Sequence, residues 1–351
     1  MAAVEDTPSD WQSVPVRRKS SINDPPLMCI MAFGSSGDQQ FFLTESILPK
    51  AVFTGAEPNN KLTSKTCGNV CERNVTLVNT PKLDNHEILH YMLKKELKKA
   101  ICFSCPGPHA VLFVLNASEV PQNVFDIFKP VVQYFGEHIL NHSMIILYHE
   151  EKTSSPLEEM VKKNKQLMEL LKKCGHRYLV FDGKKNRKEG TGTRKLFEEI
   201  DKMVEKHGIF TNREFEDADK RIRIEEKMLQ DKRKREVRVM REELEQKYSA
   251  EKEDLEKEMR IYEEKIRLEN REKAEVQVAD RLGVTLRLVD YMAAVGKGAV
   301  AGAVIAKVLG FPGMAIGAGV GAAFGGLLGG AAGAVWNIIN DAWADFRRDT
   351  T

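Results

Sequence analysis

Residues Gly34-Ser35-Ser36-Gly37-Asp38-Gln39-Gln40-Phe41 close an apolar run, 27–33, and lead into a helix-like stretch. Strand, glycine turn and helix in that order frame a phosphate-binding loop, because backbone N–H groups at the helix N-terminus point at the anion. A working loop ends in lysine, for phosphate charge, and a hydroxyl residue, for magnesium. Here no lysine follows the glycines, so the stretch is either a phosphate cradle that has lost its chemistry or a turn that never had any.

Three other constellations invite chemistry. His86-Glu87-Ile88-Leu89-His90 has the spacing of a zinc protease helix, with two imidazoles one turn apart and a glutamate to activate water. No histidine follows nearby as a third ligand, so the segment reads as an amphipathic helix start. Cys67-x-x-x-Cys71 and Cys102-x-x-Cys105 could supply four thiolates. The first spacing is loose and the second pair abuts a strand, so buried reduced thiols are the expectation. No Gly-x-Ser-x-Gly elbow is present, and nucleophilic catalysis has no support.

The elements that must position the loop come next. Apolar runs at 27–33, 75–78, 111–115, 144–148 and 178–181 alternate with amphipathic stretches at 87–100, 124–138, 156–173 and 193–206. That alternation predicts a doubly wound α/β domain with a parallel sheet over residues 27–210. Residues 1–26 are polar, lack the apolar core of a signal peptide, and read as a disordered arm. Within it, Arg17-Arg18-Lys19-Ser20-Ser21 reads as a solvated basic cluster.

Residues 211–281 are dominated by charge, with a heptad-like apolar seam interrupted at Glu225, Glu226 and Arg233. They read as one long helix, a coiled coil or a segment folded back on the domain. Residues 282–351 form a Gly-rich tail. Glycines at 313, 317, 321, 325, 329 and 333 fall four apart, in a stretch from Val308 to Asn340 without charge. That spacing puts small residues on one helix face, where backbones approach closely in lipid. A membrane-associating helical hairpin is therefore expected, with membrane contact through residues 293–343. Overall charge is nearly balanced, 53 basic against 51 acidic residues, and does not argue for nucleic acid.

Ser104-Cys105-Pro106-Gly107-Pro108-His109, running into Ala110-Val111-Leu112-Phe113-Val114-Leu115, closely resembles the box of the immunity-associated GTPases, the GIMAP family with its avirulence-induced-gene type G domain. Glu45-Ser46-Ile47-Leu48, Ser64-Lys65-Thr66-Cys67, Asn79-Thr80-Pro81-Lys82-Leu83, Cys174-Gly175-His176-Arg177-Tyr178 with Phe181, and Thr211-Asn212 agree in order. The resemblance covers about residues 27 to 225 and implies a Ras-like P-loop NTPase fold that binds GTP. The family loop is Gly-x-x-Gly-x-Gly-Lys-Ser. Against it, Gln39 replaces the third glycine, Gln40 the lysine and Phe41 the serine, while Gly34 and Gly37 remain. An amide cannot neutralise phosphate, a benzyl ring offers a metal no oxygen, and Asp38 adds a carboxylate beside the polyanion.

The departures recur. Where the family has Asp-Thr-Pro-Gly, this chain has Asn79-Thr80-Pro81-Lys82; Lys152 stands where an acid would hold guanine; and Asp182-Gly183 replaces an Asn pair. GTP or GDP is thus expected to bind weakly at most, and Mg2+ is not expected. Losing two charge-assisted hydrogen bonds, each about 1.5 to 3 kcal/mol, weakens binding by roughly two to four orders of magnitude. The resemblance implies a pseudo-GTPase acting as a scaffold or regulator in immunity, on the cytoplasmic face of an intracellular membrane. Homo-oligomers would form through the G domain or the charged helix. Two alternatives stay open: a working GTPase that uses backbone N–H groups with Lys82 or Lys50, and a membrane-perforating or remodelling effector that uses the Gly-rich hairpin.

Overall fold

The apolar run at 27–33 forms β1 (Leu27–Gly34) in the computed structural model. The structure describes residues 27–35, 38–48, 62–83, 90–150, 159, 163–247 and 252–286. The arm 1–26, the zinc-like pattern at 86–89, Ser36, Gly37, Lys50, Lys152 and the Gly-rich stretch 293–343 lie outside the described residues.

Alternate residues of β1 point to opposite faces, and both sets are buried. Met28, Ile30 and Ala32 enter one core; Cys29, Met31 and Phe33 enter the other. A strand buried on both faces belongs inside a covered sheet. The order is β2-β3-β1-β4-β5-β6. β3 (Arg73–Asn79), β4 (Ala110–Asn116), β5 (Ser143–His149) and β6 (Tyr178–Asp182) run parallel to β1.

The sheet is mixed, which corrects the all-parallel expectation: β2 (Ser64–Val70) is antiparallel to β3. Cys71 and Glu72 have φ of 49° and 60°, the left-handed pair that a tight hairpin needs.

Helices cover both faces. α1 (Gln39–Ile47) and α6 (Thr191–His207) pack on one. α2 (His90–Ser104), α3 (Val124–Phe135) and α4 (Lys165–Lys173) pack on the other. α3 stops earlier than its apolar pattern predicts, at Gly136 with φ 93°, before a 3-10 turn at Glu137–His142. Asn164 caps α4 by accepting a 3.0 Å bond from the Leu167 amide. A short α5 (Gly183–Glu189) precedes α6.

The charged segment is two helices rather than one. α7 (Arg213–Lys247) and α8 (Lys252–Arg281) lie side by side in opposite directions. The charges that interrupt the apolar seam are those that cross between them. Arg233 meets Glu269 at 2.6 Å, Glu226 meets Arg271 at 3.4 Å and Glu225 meets Arg281 at 2.5 Å. The pair is also fixed to the domain. Phe215, Ala218 and Ile222 of α7, with Ala274 and Val278 of α8 and Leu286 after it, join the core under α2. No helix among the described residues is long and apolar enough to cross a membrane.

The box that carries the resemblance lies at the end of the sheet opposite the loop, and its work there is structural. His109 and Cys29 are bonded in both directions: the His109 amide donates to Cys29 O at 2.7 Å, and the Cys29 amide donates to His109 Nδ1 at 3.0 Å. Pro108 O accepts the Phe210 amide at 2.9 Å, which ties the sheet to the start of α7.

Because Nδ1 must accept, His109 is needed neutral, and burial lowers its pKa to about 4. His142 is likewise held down to about 4 by burial and by His207. In both, the unfolded chain takes up the proton first, near 6.5. Their contribution is therefore complete above that pH and is lost as pH falls toward about 4. The thermal midpoint is expected to drop over this window, and His109→Gln, which keeps an acceptor, is expected to flatten the slope. Melting curves followed by circular dichroism across pH check it; an unchanged slope would show that His109 is not the titrating group.

Candidate functional site

In a covered parallel sheet, ligands enter at the carboxyl ends of the strands, where neighbouring connections leave in opposite directions. β1 and β4 make that point: the chain leaves β1 toward β3 and leaves β4 toward β5. Gly34 and Ser35 therefore sit where the sequence placed the loop, and the Ser35 amide donates to Val114 O at 3.2 Å.

The cradle is filled by the chain itself. Gln40, the first-turn residue in the lysine position, folds back over Gly34 and is fully buried. Its Nε2 donates to Thr80 O at 2.6 Å. A Cβ built on Gly34 would fall 1.5 Å from Gln40 Oε1, so the glutamine amide lies directly against the glycine backbone. Ser35 Oγ, Gln39 Oε1 and Gln40 Oε1 are buried without partners. Two of these three are carbonyl oxygens, which accept only and repel phosphate.

Asp38 differs from expectation. Its carboxylate meets Lys82 at 2.9 Å, so the charge placed beside the loop is compensated. Lys82, the cation at the loop, is engaged in that pair. Phe41 is buried. Asn79 and Thr44 are satisfied by each other, with Asn79 Nδ2 donating to Thr44 Oγ1 at 2.9 Å. As placed, the described residues do not fit a magnesium-bound triphosphate: the space over Gly34 is taken by Gln40, two of the three orphaned oxygens can only accept, and the metal positions are a ring and a closed amide–hydroxyl pair.

A second filled space lies at the ends of β5 and β6. Tyr148 stacks between Phe42 and Phe181, with centroids 6.4 and 6.1 Å away. A Cβ on Gly183 would fall 2.1 Å from the Tyr148 hydroxyl, so Gly183 makes room for the tyrosine. That hydroxyl donates to Glu150, which Arg187 grips with both η nitrogens, one at 2.9 Å. The Arg187 bonds hold the Glu150 carboxyl below its usual range, while burial pushes the Tyr148 phenol up to about 12. Asn186 bridges Ser46 O at 2.7 Å and Thr193 Oγ1 at 2.9 Å. Asp182 caps α5 through the Lys185 amide at 2.8 Å. The sequence pointed to Asp182-Gly183 as a loss; the structure gives both residues structural work. It gave no sign of the Tyr148–Glu150–Arg187 linkage beyond a glycine placed after β6.

The cysteines make no metal centre. All six are free, and no group of three or more metal-binding side chains occurs among the described residues. Burial pushes the Cys29 and Cys102 thiols up to about 12, which keeps them protonated and poor as ligands.

A family model described as the AIG1 family matches residues 34–233. GTPase IMAP family member 8 of Mus musculus is 26% identical over 189 residues, covering 52% of this chain and 27% of that protein. Its Homo sapiens counterpart is 24% identical over 174 residues, covering 46% and 25%. The chain thus spans about a quarter of the length of the curated relatives it matches. Among solved structures, Toc33 from Arabidopsis thaliana in complex with GDP and Mg2+ is 18% identical with a TM-score of 0.35, covering 46% of this chain and 64% of that one. Era in complex with MgGDPNP and a segment of 16S ribosomal RNA is 12% identical with a TM-score of 0.37, covering 51% and 57%.

Proposed function

The chain belongs to the AIG1 family of immunity-associated GTPases and has a Ras-like α/β fold, and on that premise we propose that it is a pseudo-GTPase, a scaffold or regulator whose nucleotide site is closed by its own side chains. One observation carries this reading: the Gln40 amide lies on Gly34 and is bonded to Thr80 O at 2.6 Å. A nucleotide would have to expel a buried group, and Lys82, the lysine that the described residues bring to the loop, is paired with Asp38. The rest of the proposal follows the sequence: membrane contact through residues 293–343, on the cytoplasmic face of an intracellular membrane, and self-association through the sheet domain or the α7–α8 pair.

Titration calorimetry of the full chain with GTP and GDP, with and without Mg2+, is expected to show no binding at micromolar concentration. Micromolar, magnesium-dependent binding would overturn the reading. The rival reading, a divergent nucleotide-binding GTPase, is favoured by the names of the curated relatives and by Lys82, whose ammonium already stands at the loop, 2.9 Å from Asp38. Asp38→Asn would release that lysine. On the rival reading the variant binds GTP more tightly than the parent by about tenfold; on ours it still shows none.

A further inference from the structure

The two long faces of α7 differ. One is inside: Phe215, Ala218 and Ile222 are buried in the core, and Arg233 is paired with Glu269 of α8. The other is open, and it is not an ordinary solvated face. Ile224, Met228 and Val239 are 50%, 47% and 43% exposed. Steps of four and eleven keep them on one stripe of an α-helix. Lys227, Arg235 and Arg238 are exposed along the same stripe. Its one acid between Ile224 and Val239, Asp231, is held by Lys234 at 2.8 Å, Arg238 stands 4.0 Å from Glu242 just beyond, and Arg235 makes no ion pair among the described residues.

We propose that the outward face of α7, between Lys220 and Val239, is a docking surface for an anionic lipid bilayer. The proposal goes beyond the function argued above, since it uses neither the closed nucleotide site nor residues 293–343. Charge complementarity selects a polyanion. The exposed apolar side chains select lipid over nucleic acid: against a phosphate backbone they gain nothing, whereas in a bilayer they enter the headgroup boundary while the flanking cations meet the lipid phosphates and carboxylates. α8 pairs with α7 through Glu225, Glu226 and Arg233, which leaves this face outward. Each cation close to an anionic bilayer strengthens binding about fivefold, and the effect is screened within a Debye length.

The test is flotation of the full chain with phosphatidylcholine vesicles, with and without phosphatidylserine. Lys227→Glu/Arg235→Glu/Arg238→Glu is compared with a control of equal charge on the opposite side, Lys184→Glu/Lys188→Glu/Lys195→Glu, both shown to be folded by circular dichroism. The serine-lipid component of binding is expected to fall at least about a hundredfold in the α7 variant and to change less than about threefold in the control. It is also expected to weaken as salt is raised. An unchanged α7 variant, or an equal loss in the control, overturns the proposal. So does retention of duplex RNA by the parent chain without vesicle binding, which would assign the face to nucleic acid. Binding to neutral vesicles reports on residues 293–343 separately, so failure of that reading leaves this comparison intact.

Discussion

Alanine at position 107 is expected to destabilise the domain by about 3 kcal/mol or more, with α7 the first element to loosen. Gly107 has φ +156°, and a Cβ there would fall 1.9 Å from the carbonyl oxygen of Phe210. That oxygen belongs to backbone already fixed from the other side, because the Phe210 amide donates to Pro108 O at 2.9 Å. Neither partner can swing away, unlike the end of a side chain. Relief requires moving Phe210, whose buried ring meets Phe135, His142 and Phe215 at centroid distances of 6.1, 5.5 and 5.8 Å. Overpacking of a close-packed core costs roughly 1–3 kcal/mol, and an unfavourable backbone angle adds about 1 kcal/mol. Gly208→Ala is the matched control: its φ is also positive, +74°, but the space around it is open, so about 1 kcal/mol is expected. Urea unfolding of both variants, with hydrogen exchange followed in α7, checks the difference. Equal losses would mean that the contact with Phe210 relaxes freely.

The second large effect is expected at Arg271. Its guanidinium donates to Cys105 O at 2.8 Å and to Glu275 at 2.9 Å, and approaches Glu226 at 3.4 Å. Lys65 reaches the same Glu275 at 2.8 Å. Replacing both partners of such a network with apolar groups can be neutral, but removing one leaves buried charge uncompensated. Arg271→Met is therefore expected to cost about 3–5 kcal/mol, read by urea unfolding and by earlier exchange of α8 amides.

Glu272 beside it behaves in the opposite sense. It is buried, its Oε2 has no partner, and burial pushes its pKa up to about 8. The folded state holds a proton that the unfolded chain releases near 4.5. The associated stability is thus full below that pH and is lost as pH rises through about 8. Glu272→Gln is expected to stabilise the protein by several kcal/mol at the upper end of this window and by nothing at the lower end. A variant that destabilises at alkaline pH would show that the carboxylate is ionised and paired after all. With His109 and His142 acting from the acid side, maximal stability is expected near pH 6 to 7.

Much of the central sheet was legible because the five parallel strands are apolar runs bounded by turns, the pattern that burial on both faces imposes. β2 was not, because Ser64-Lys65-Thr66-Cys67-Gly68 is polar and its inward positions include a glycine, packed against Leu48. The division of the charged segment was hidden for a related reason. Glu225, Glu226 and Arg233 looked like breaks in a seam, and only their partners on α8 show them to be part of it. At the candidate site the residue changes were plain: Gln39, Gln40 and Phe41 announce themselves against any phosphate loop. What the letters withheld was direction. Nothing in a glutamine says that its amide turns inward onto Gly34, or that Lys82 closes on Asp38. The box that carried the family resemblance does its work elsewhere, tying the far end of the sheet through His109, Cys29 and Pro108.

An occupant joined to its host by a covalent chain cannot diffuse away. The Gln40 amide over Gly34 is present at one copy per molecule, whatever the cell's supply of free ligand. On the pseudo-GTPase reading proposed above, a protein built this way would have no clock set by exchange or hydrolysis. Its timing would have to come from how much of it is made, how fast it is degraded and where it is placed.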